Sequence, residues 1–307
     1  MRVYLASNVL VDVCDGRAPG LATLLPRAVD AGTYSFPFTA EQVSEITFAS
    51  NGGRNDVRLK FLLRLSRDLY FVRSVYDFGF RTESPLSVYA TLNEVVLESG
   101  VERGLANMIS YEEKRRAREA LGLDSFELNN LSPREAISRI EKALASYEHD
   151  LPPSVAVPRP LPDFLSYGEK NTREQFSELW VRMRADPEHM LLDHKIVSLF
   201  SLFDTFGFWP DDRVVYEKGS RFADSRHAFN ASQFEVLVSR GKRLLNKAAA
   251  VYEYLGPQVS VQTAEAFERE RGVSILHLLH FQWVGSGGFS SMPPAQRNSI
   301  AMRDSAL

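Results

Sequence analysis

Cysteine is almost absent: Cys14 is the only one in 307 residues. A single thiol can neither close an internal disulfide nor build a cysteine-based zinc site, and it fits a reducing compartment. Long apolar runs are missing as well. Met1-Arg2-Val3-Tyr4-Leu5 leads straight into a short apolar stretch, far too brief for a signal peptide or a membrane span, and no other stretch is long enough. A cytoplasmic, soluble protein is therefore expected. Positive charge is not in excess either. The 36 Lys and Arg against 39 Asp and Glu leave a net charge of −3, so any contact with nucleic acid has to come from a local patch. No internal repeat is visible.

What is present is an ordinary globular composition, 44% hydrophobic with ample aromatics. The length suits one domain with a large insertion, or two domains. Val3-Tyr4-Leu5 reads as a short buried strand, followed by a polar elbow and a helix start. Ser35-Phe36-Pro37-Phe38 is a second strand candidate. Thr39-Ala40-Glu41-Gln42 is a capping box, opening a helix with Glu45 in its second turn. Leu59, Leu62, Leu63 and Leu65 keep helical spacing, and Leu69 to Val75 reads as a strand of the same sheet as Val3–Leu5.

From about Glu98 the character changes. Glu112 to Ala120 is charged and helix-favouring. Ser132-Pro133-Arg134-Glu135 is another capping box, with Ile137, Ile140 and Leu144 on one face. Leu151 to Pro162 is a proline-rich linker, and Phe176, Leu179, Trp180 and Met183 form the stripe of an amphipathic helix. Lys195 to Phe206 and Asp224 to Ser232 read as helices, with Val214-Val215-Tyr216 as a short extended piece between them. Val236-Leu237-Val238 is a buried strand and Arg243 to Tyr254 a helix stopped by Gly256. Val259-Ser260-Val261 is a last strand, and Thr263 caps the helix after it. The expected organisation is a discontinuous α/β core of residues 1–95 and 191–270, a helical insertion at 96–190 and a partly mobile extension at 271–307. Alternating strands and helices imply a three-layer α/β/α arrangement around a mainly parallel sheet.

Tyr4-Leu5-Ala6-Ser7-Asn8-Val9-Leu10-Val11-Asp12 resembles the opening of the PIN-domain nucleases, whose first strand ends in a metal-binding aspartate. The match is close except at Ala6, which takes that aspartate's place. Glu45 falls where the family has its catalytic glutamate. Asp224-Ser225-Arg226-His227 with Ala231, then Val236-Leu237-Val238-Ser239, resembles the late block, where an acid-bearing helix precedes a strand. The family often has another aspartate just past that strand; here Arg240-Gly241 stands there. The resemblance covers 1–95 and 191–270 in pieces and leaves the insertion outside.

It implies a metal-dependent endonuclease. Phosphodiester cleavage needs charge stabilisation at the attacking and leaving oxygens, and Mg²⁺ or Mn²⁺ held by carboxylates supplies it. Position 6, Glu45 and Asp224 would converge at the carboxyl ends of parallel strands, with Glu45 and Asp224 as the remaining metal ligands. Ser7, Asn8, Asp12, His227 and Ser239 would support them, and Arg240, Lys242, Arg243 and Lys247 would contact phosphates. RNA is the expected substrate, single-stranded DNA the alternative. The resemblance also suggests a toxin–antitoxin or phage-defence setting, with the insertion meeting a partner protein. A non-catalytic PIN-like module that binds nucleic acid or a partner is the second reading.

Plainer roles stand beside these. Glu45 suits an exposed helix face, Asp224 and Asn8 suit helix caps, and Asp12 suits a structural role. His227 suits a hydrogen-bonded, partly buried histidine. His277 and His280 suit packing, while His189 and His194 lack metal spacing. Lys114, Arg115, Arg116 and Arg118 suit a solvated helix face. Ala6 itself fits either a degenerate natural protein or an alanine introduced to abolish activity; the intact motif around it favours the second.

Overall fold

The computed structural model describes residues 1–48, 54–73, 77–95, 111–146, 161–175, 187–212 and 221–271. Several expectations lie outside these residues: the 151–160 part of the linker, the Phe176 to Met183 stripe, Val214-Val215-Tyr216, His277 and His280, and the tail after Trp283.

The chain is a mixed α/β protein, mostly helical, built on a small parallel sheet. Strand β1 (Val3–Leu5) is followed by helices α1 (Ser7–Cys14), α2 (Pro19–Asp30), α3 (Ala40–Phe48) and α4 (Asn55–Ser66). Strands β2 (Leu69–Arg73) and β3 (Phe78–Thr82) come next, then α5 (Pro85–Val95). A helical stretch contains α6 (Tyr111–Ala120), α7 (Ser125–Asn129), α8 (Pro133–Ser146), α9 (Leu161–Gln175) and α10 (Pro187–Phe206). The last part runs α11 (Arg221–Ala231), β4 (Val236–Ser239), α12 (Lys242–Leu255) and β5 (Ser260–Thr263), with helix again from 264 to 271. Among the described residues, no helix is long and apolar enough to cross a membrane.

The parallel sheet has the order β1-β4-β5, with Val3 opposite Val236 and Val236 opposite Ser260. Its first two strands are nearly dry, and period two sorts their side chains. Val3, Leu5, Val236 and Val238 enter one apolar cluster with Leu10, Leu25, Ile46 and Leu62 of α1 to α4. Tyr4 and Leu237 enter the other, with Ile137, Ile140, Leu199, Phe203, Ala228 and Val251. The helices around residues 111–175 therefore share this second core with the sheet.

The expectation for Leu69 to Val75 needs correction. Leu69–Arg73 pairs antiparallel with β3 in a separate two-stranded sheet. Phe71 drives that pairing, with the rings of Phe78 and Phe80 on it at 5.2 and 5.1 Å. The Ser35–Phe38 strand is likewise reduced to two isolated parallel bridges, Arg2 to Ser35 and Phe38 to Tyr70. Pro37 between them has no N–H, so a full ladder cannot form. The segment still tethers the two sheets: Val3 N–H donates to the Ser35 carbonyl at 2.9 Å and Phe38 N–H to the Leu69 carbonyl at 3.0 Å.

Both capping boxes form. Ser132 and Glu135 exchange hydrogen bonds of 3.0 and 3.4 Å at the start of α8. Thr39 N–H donates to Gln42 Oε1 at 2.7 Å, Gln42 N–H donates to Thr39 Oγ1 at 3.4 Å, and Gln42 Nε2 also donates to the Leu5 carbonyl. Gln42 thus caps α3 and fastens it to the carboxyl end of β1. Gln42→Glu keeps the cap acceptor but sets a carboxylate against a carbonyl in a buried place. It should cost more than Gln42→Ala, which loses about 1–3 kcal/mol. Urea denaturation of both variants, with unchanged slope, measures the difference.

Candidate functional site

The site is built where β1 and β4 end. Ala6 is extended, with φ −60 and ψ 149, and stands as the residue before α1. Its N–H donates to the Val238 carbonyl at 2.9 Å, and its carbonyl accepts from Val9 N–H at 2.9 Å. The methyl is buried in the apolar cluster around Tyr4. Asn8 fixes the elbow rather than capping the helix. Its Nδ2 donates to Ser239 Oγ at 3.1 Å, and its Oδ1 accepts from Arg240 N–H at 3.3 Å. Ser239 Oγ also accepts from Gly241 N–H at 3.0 Å. Asn8 and the buried Ser239 together bind the start of α1 to the turn before α12.

Glu45 comes from α3 and His227 from α11. His227 Nε2 lies 2.9 Å from Glu45 Oε2, and Nδ1 lies 2.6 Å from the Tyr4 hydroxyl. Tyr4 is fully buried and His227 is nearly so. Burial alone would raise the Glu45 carboxyl, but His227, with Ser7 and Arg226, holds it below the usual range. Ser7 Oγ lies close by without a hydrogen-bond partner at ordinary distance. Burial would lower His227, yet Glu45 first and then Asp224 and Glu41 raise it. Burial keeps the Tyr4 phenol far above its ordinary range. When His227 is neutral, Tyr4 O–H donates to Nδ1 and Nε2–H donates to Glu45. When it is protonated, both ring N–H groups donate.

Asp224 lies in the first turn of α11, inside the helix rather than at its cap. Burial pushes its carboxyl up to about 6; Lys247 and His227 pull it down, and Asp211 and Glu45 add to the rise. Glu45 and Asp224 line one cleft of about 560 Å³ with Asn8, Asp211, Lys242 and Arg243. Ala6 does not line it. Asp211 has no counterpart in the sequence motifs. Nothing in the run Trp209-Pro210-Asp211-Asp212 singles it out from Asp212.

The basic residues divide. Lys242 is exposed at the cleft. Arg240 pairs with Asp12 at 2.8 Å and Glu265 at 3.5 Å, and Asp12 also holds Arg17 at 2.6 Å. Asp12 is therefore a structural clamp. Arg243 faces Asp212 at 3.4 Å and Asp211 at 3.6 Å. Lys247 corrects an expectation: it is 1% exposed, held by Asp204 with Asp211 at 3.7 Å, and so faces away from any phosphate. Lys114 departs from the solvated face too, being buried at 2% exposure, while Arg115 is exposed and pairs with Glu112 and Glu119. His189 stacks on Phe78 with ring centres 4.2 Å apart. Among the described residues, no three His, Cys, Asp or Glu side chains converge closely enough to hold a metal ion. The oxygen-rich donor set nonetheless suits a hard cation, and the buried Asp211 Oδ2 has no hydrogen-bond partner.

Asp224 binds its proton more tightly folded than unfolded. Its favourable contribution is full below the ordinary value of 3.8 and is lost as pH rises through about 6. Asp224→Asn should therefore stabilise the metal-free protein by about 1–2 kcal/mol at pH 8, after allowance for partial exposure, and change little at pH 4. Thermal melting at the two pH values measures it; equal effects at both would refute the assignment.

Comparison with family models, with curated proteins and with solved structures gives no match to this chain.

Proposed function

We propose that the chain is a PIN-type endonuclease dependent on Mg²⁺ or Mn²⁺, acting on RNA, and impaired here by alanine at position 6. One observation carries the reading: Glu45 and Asp224, far apart in sequence, line a single cleft at the carboxyl ends of β1 and β4. That is where open α/β folds bind ligands. The two apolar clusters, drawing on alternate residues of β1 and β4, support a three-layer arrangement.

A divalent cation, when bound, neutralises charge developing on the phosphate oxygens. Glu45 and Asp224 would hold it. His227, itself held by Tyr4, fixes the Glu45 carboxylate and favours its ionised form, so it meets a cation without losing a proton first. Lys242 and the start of α12, from Gly241 to Leu244, line the cleft and suit a phosphate oxygen. Arg240 and Arg243 reach phosphate only by leaving Asp12 or Asp212. The helices around 111–175 are the surface for a partner protein or for target selection, in a toxin–antitoxin or phage-defence setting.

The second reading, a non-catalytic module for nucleic acid or a partner, draws on Ala6, on Arg240-Gly241 where an acid is expected, and on the lack of three converging ligands among the described residues. Ala6→Asp separates the two. In the nuclease reading it raises Mn²⁺-dependent RNA cleavage tenfold or more and makes melting temperature rise with metal. Glu45→Gln in that background removes both gains. Cleavage and melting are measured with and without Mn²⁺ on RNA and single-stranded DNA. If Ala6→Asp gains neither, the non-catalytic module stands.

A further inference from the structure

Asp211 follows α10 in a tightly fixed turn. Trp209 has φ +46, and its N–H donates to Asn129 Oδ1 at 2.6 Å. Asp211 N–H donates to Asp204 Oδ1 at 3.2 Å. The residue is 5% exposed, yet it lines the cleft with Asp224 and Glu45. Its Oδ1 faces Arg243 at 3.6 Å and Lys247 at 3.7 Å. Its Oδ2 is buried and meets no donor.

A buried carboxylate oxygen without a donor is costly and uncommon. The nearby cations do not relieve it. Lys247 is taken by Asp204, and Arg243 is shared with Asp212. Lys114 adds positive charge that lowers Asp211 as well. Asp211, Asp224 and Glu45 line the cleft together, and Oδ2 of Asp211 is a buried oxygen there that no donor meets.

We propose that Asp211 supplies the carboxylate that position 6 lacks, so that the chain as it stands binds one divalent cation between Asp211 and Asp224. The inference rests on the metal-dependent reading of the cleft and assigns it a ligand outside the motif positions. Oδ2 of Asp211 and the carboxylate of Asp224 are hard oxygen donors, and the Glu45 carboxylate lines the same cleft. Water completes the shell, as it does for Mg²⁺ and Mn²⁺ bound by few protein ligands. The acids do not converge without the ion, so binding draws the two side chains together and stabilises the folded state.

Calorimetric titration of Mn²⁺ into the full chain, with melting curves, tests this without any nuclease assay. Binding is expected in the unaltered chain. Asp211→Asn and Asp224→Asn should each weaken it tenfold or more, while Asp212→Asn, on the exposed neighbour, changes it by less than threefold. Iron-directed backbone cleavage of the unaltered chain, with Fe²⁺ and ascorbate, gives a second measurement in case Asp211→Asn does not fold. Cuts near 211 and 224 that Mg²⁺ suppresses support the site. Full-strength binding in folded Asp211→Asn, cuts elsewhere, or no binding at millimolar Mn²⁺ overturns it. A chain that binds Mn²⁺ through Asp211, but cleaves nothing even as Ala6→Asp, keeps this inference and loses the nuclease. Cleavage gained by Ala6→Asp with no binding in the unaltered chain does the reverse.

Discussion

The hydrogen-bonded chain from Tyr4 through His227 to Glu45 is the constraint on which the cleft depends. It joins β1, α11 and α3, three elements distant in sequence, through the buried Tyr4 and His227 to a half-buried Glu45. A buried imidazole must satisfy both ring nitrogens, and here one partner is a phenol and the other a carboxylate. That requirement aims the ring, and the ring aims Glu45. The Gln42 bonds to Thr39 and to Leu5 hold the same helix from its other end. Glu45 is therefore set by two independent attachments before any ligand arrives. This preorganisation suits a metal or phosphate site, where a small misplacement is expensive.

Electrostatics then pull against the fold. Asp224 and Asp211 are both pushed upward, chiefly by burial, with Asp211 and Glu45 adding to the rise of Asp224 and Asp204 to that of Asp211. A methyl at position 6 spares the cleft one more negative charge. The buried Lys247 works in the same direction, tied to Asp204 at the base of the cleft and lowering Asp224. It stabilises the acids from behind instead of meeting a substrate in front. Such a pair is hard to break singly, because either half left alone is an uncompensated buried charge.

Local signals in the sequence were legible. The Thr39 and Ser132 boxes, the Gly256 stop of α12 with φ +98, and the buried strands β1 and β4 all follow from neighbours along the chain. The pairing of β2 was not legible, because it turns on which strand meets Phe71, and β3 carries only a short Phe-Gly-Phe pattern interrupted by glycine. Lys247 misled for a related reason. A lysine in the second turn of a helix after a strand looks like a phosphate contact, and only the fold brings Asp204 under it. Asp211 was invisible because no periodicity distinguishes it from Asp212 beside it. One is buried and the other exposed, a difference set by the turn at Trp209.

The two departures from the motif, at positions 6 and 241, sit at the ends of paired neighbouring strands, and the backbone there is intact. Ala6 keeps its bond to Val238, and Asn8 and Ser239 carry the turn to Gly241. A Cβ at Gly241 would meet Asn8 Nδ2 and Ser239 Oγ at 3.5 Å, which is ordinary contact, and this glycine has no left-handed φ to excuse it. Steric exclusion would not keep from position 241 the acid that the PIN-type reading expects there. With glycine there, the start of α12 lines the cleft beside Lys242, and in that reading a carboxylate at 241 would compete with a phosphate oxygen for the helix N-terminus. In the nuclease reading proposed above, Lys242 and the start of α12 would meet a phosphate oxygen, while Glu45, Asp224 and Asp211 in the same cleft would hold the cation that offsets its charge.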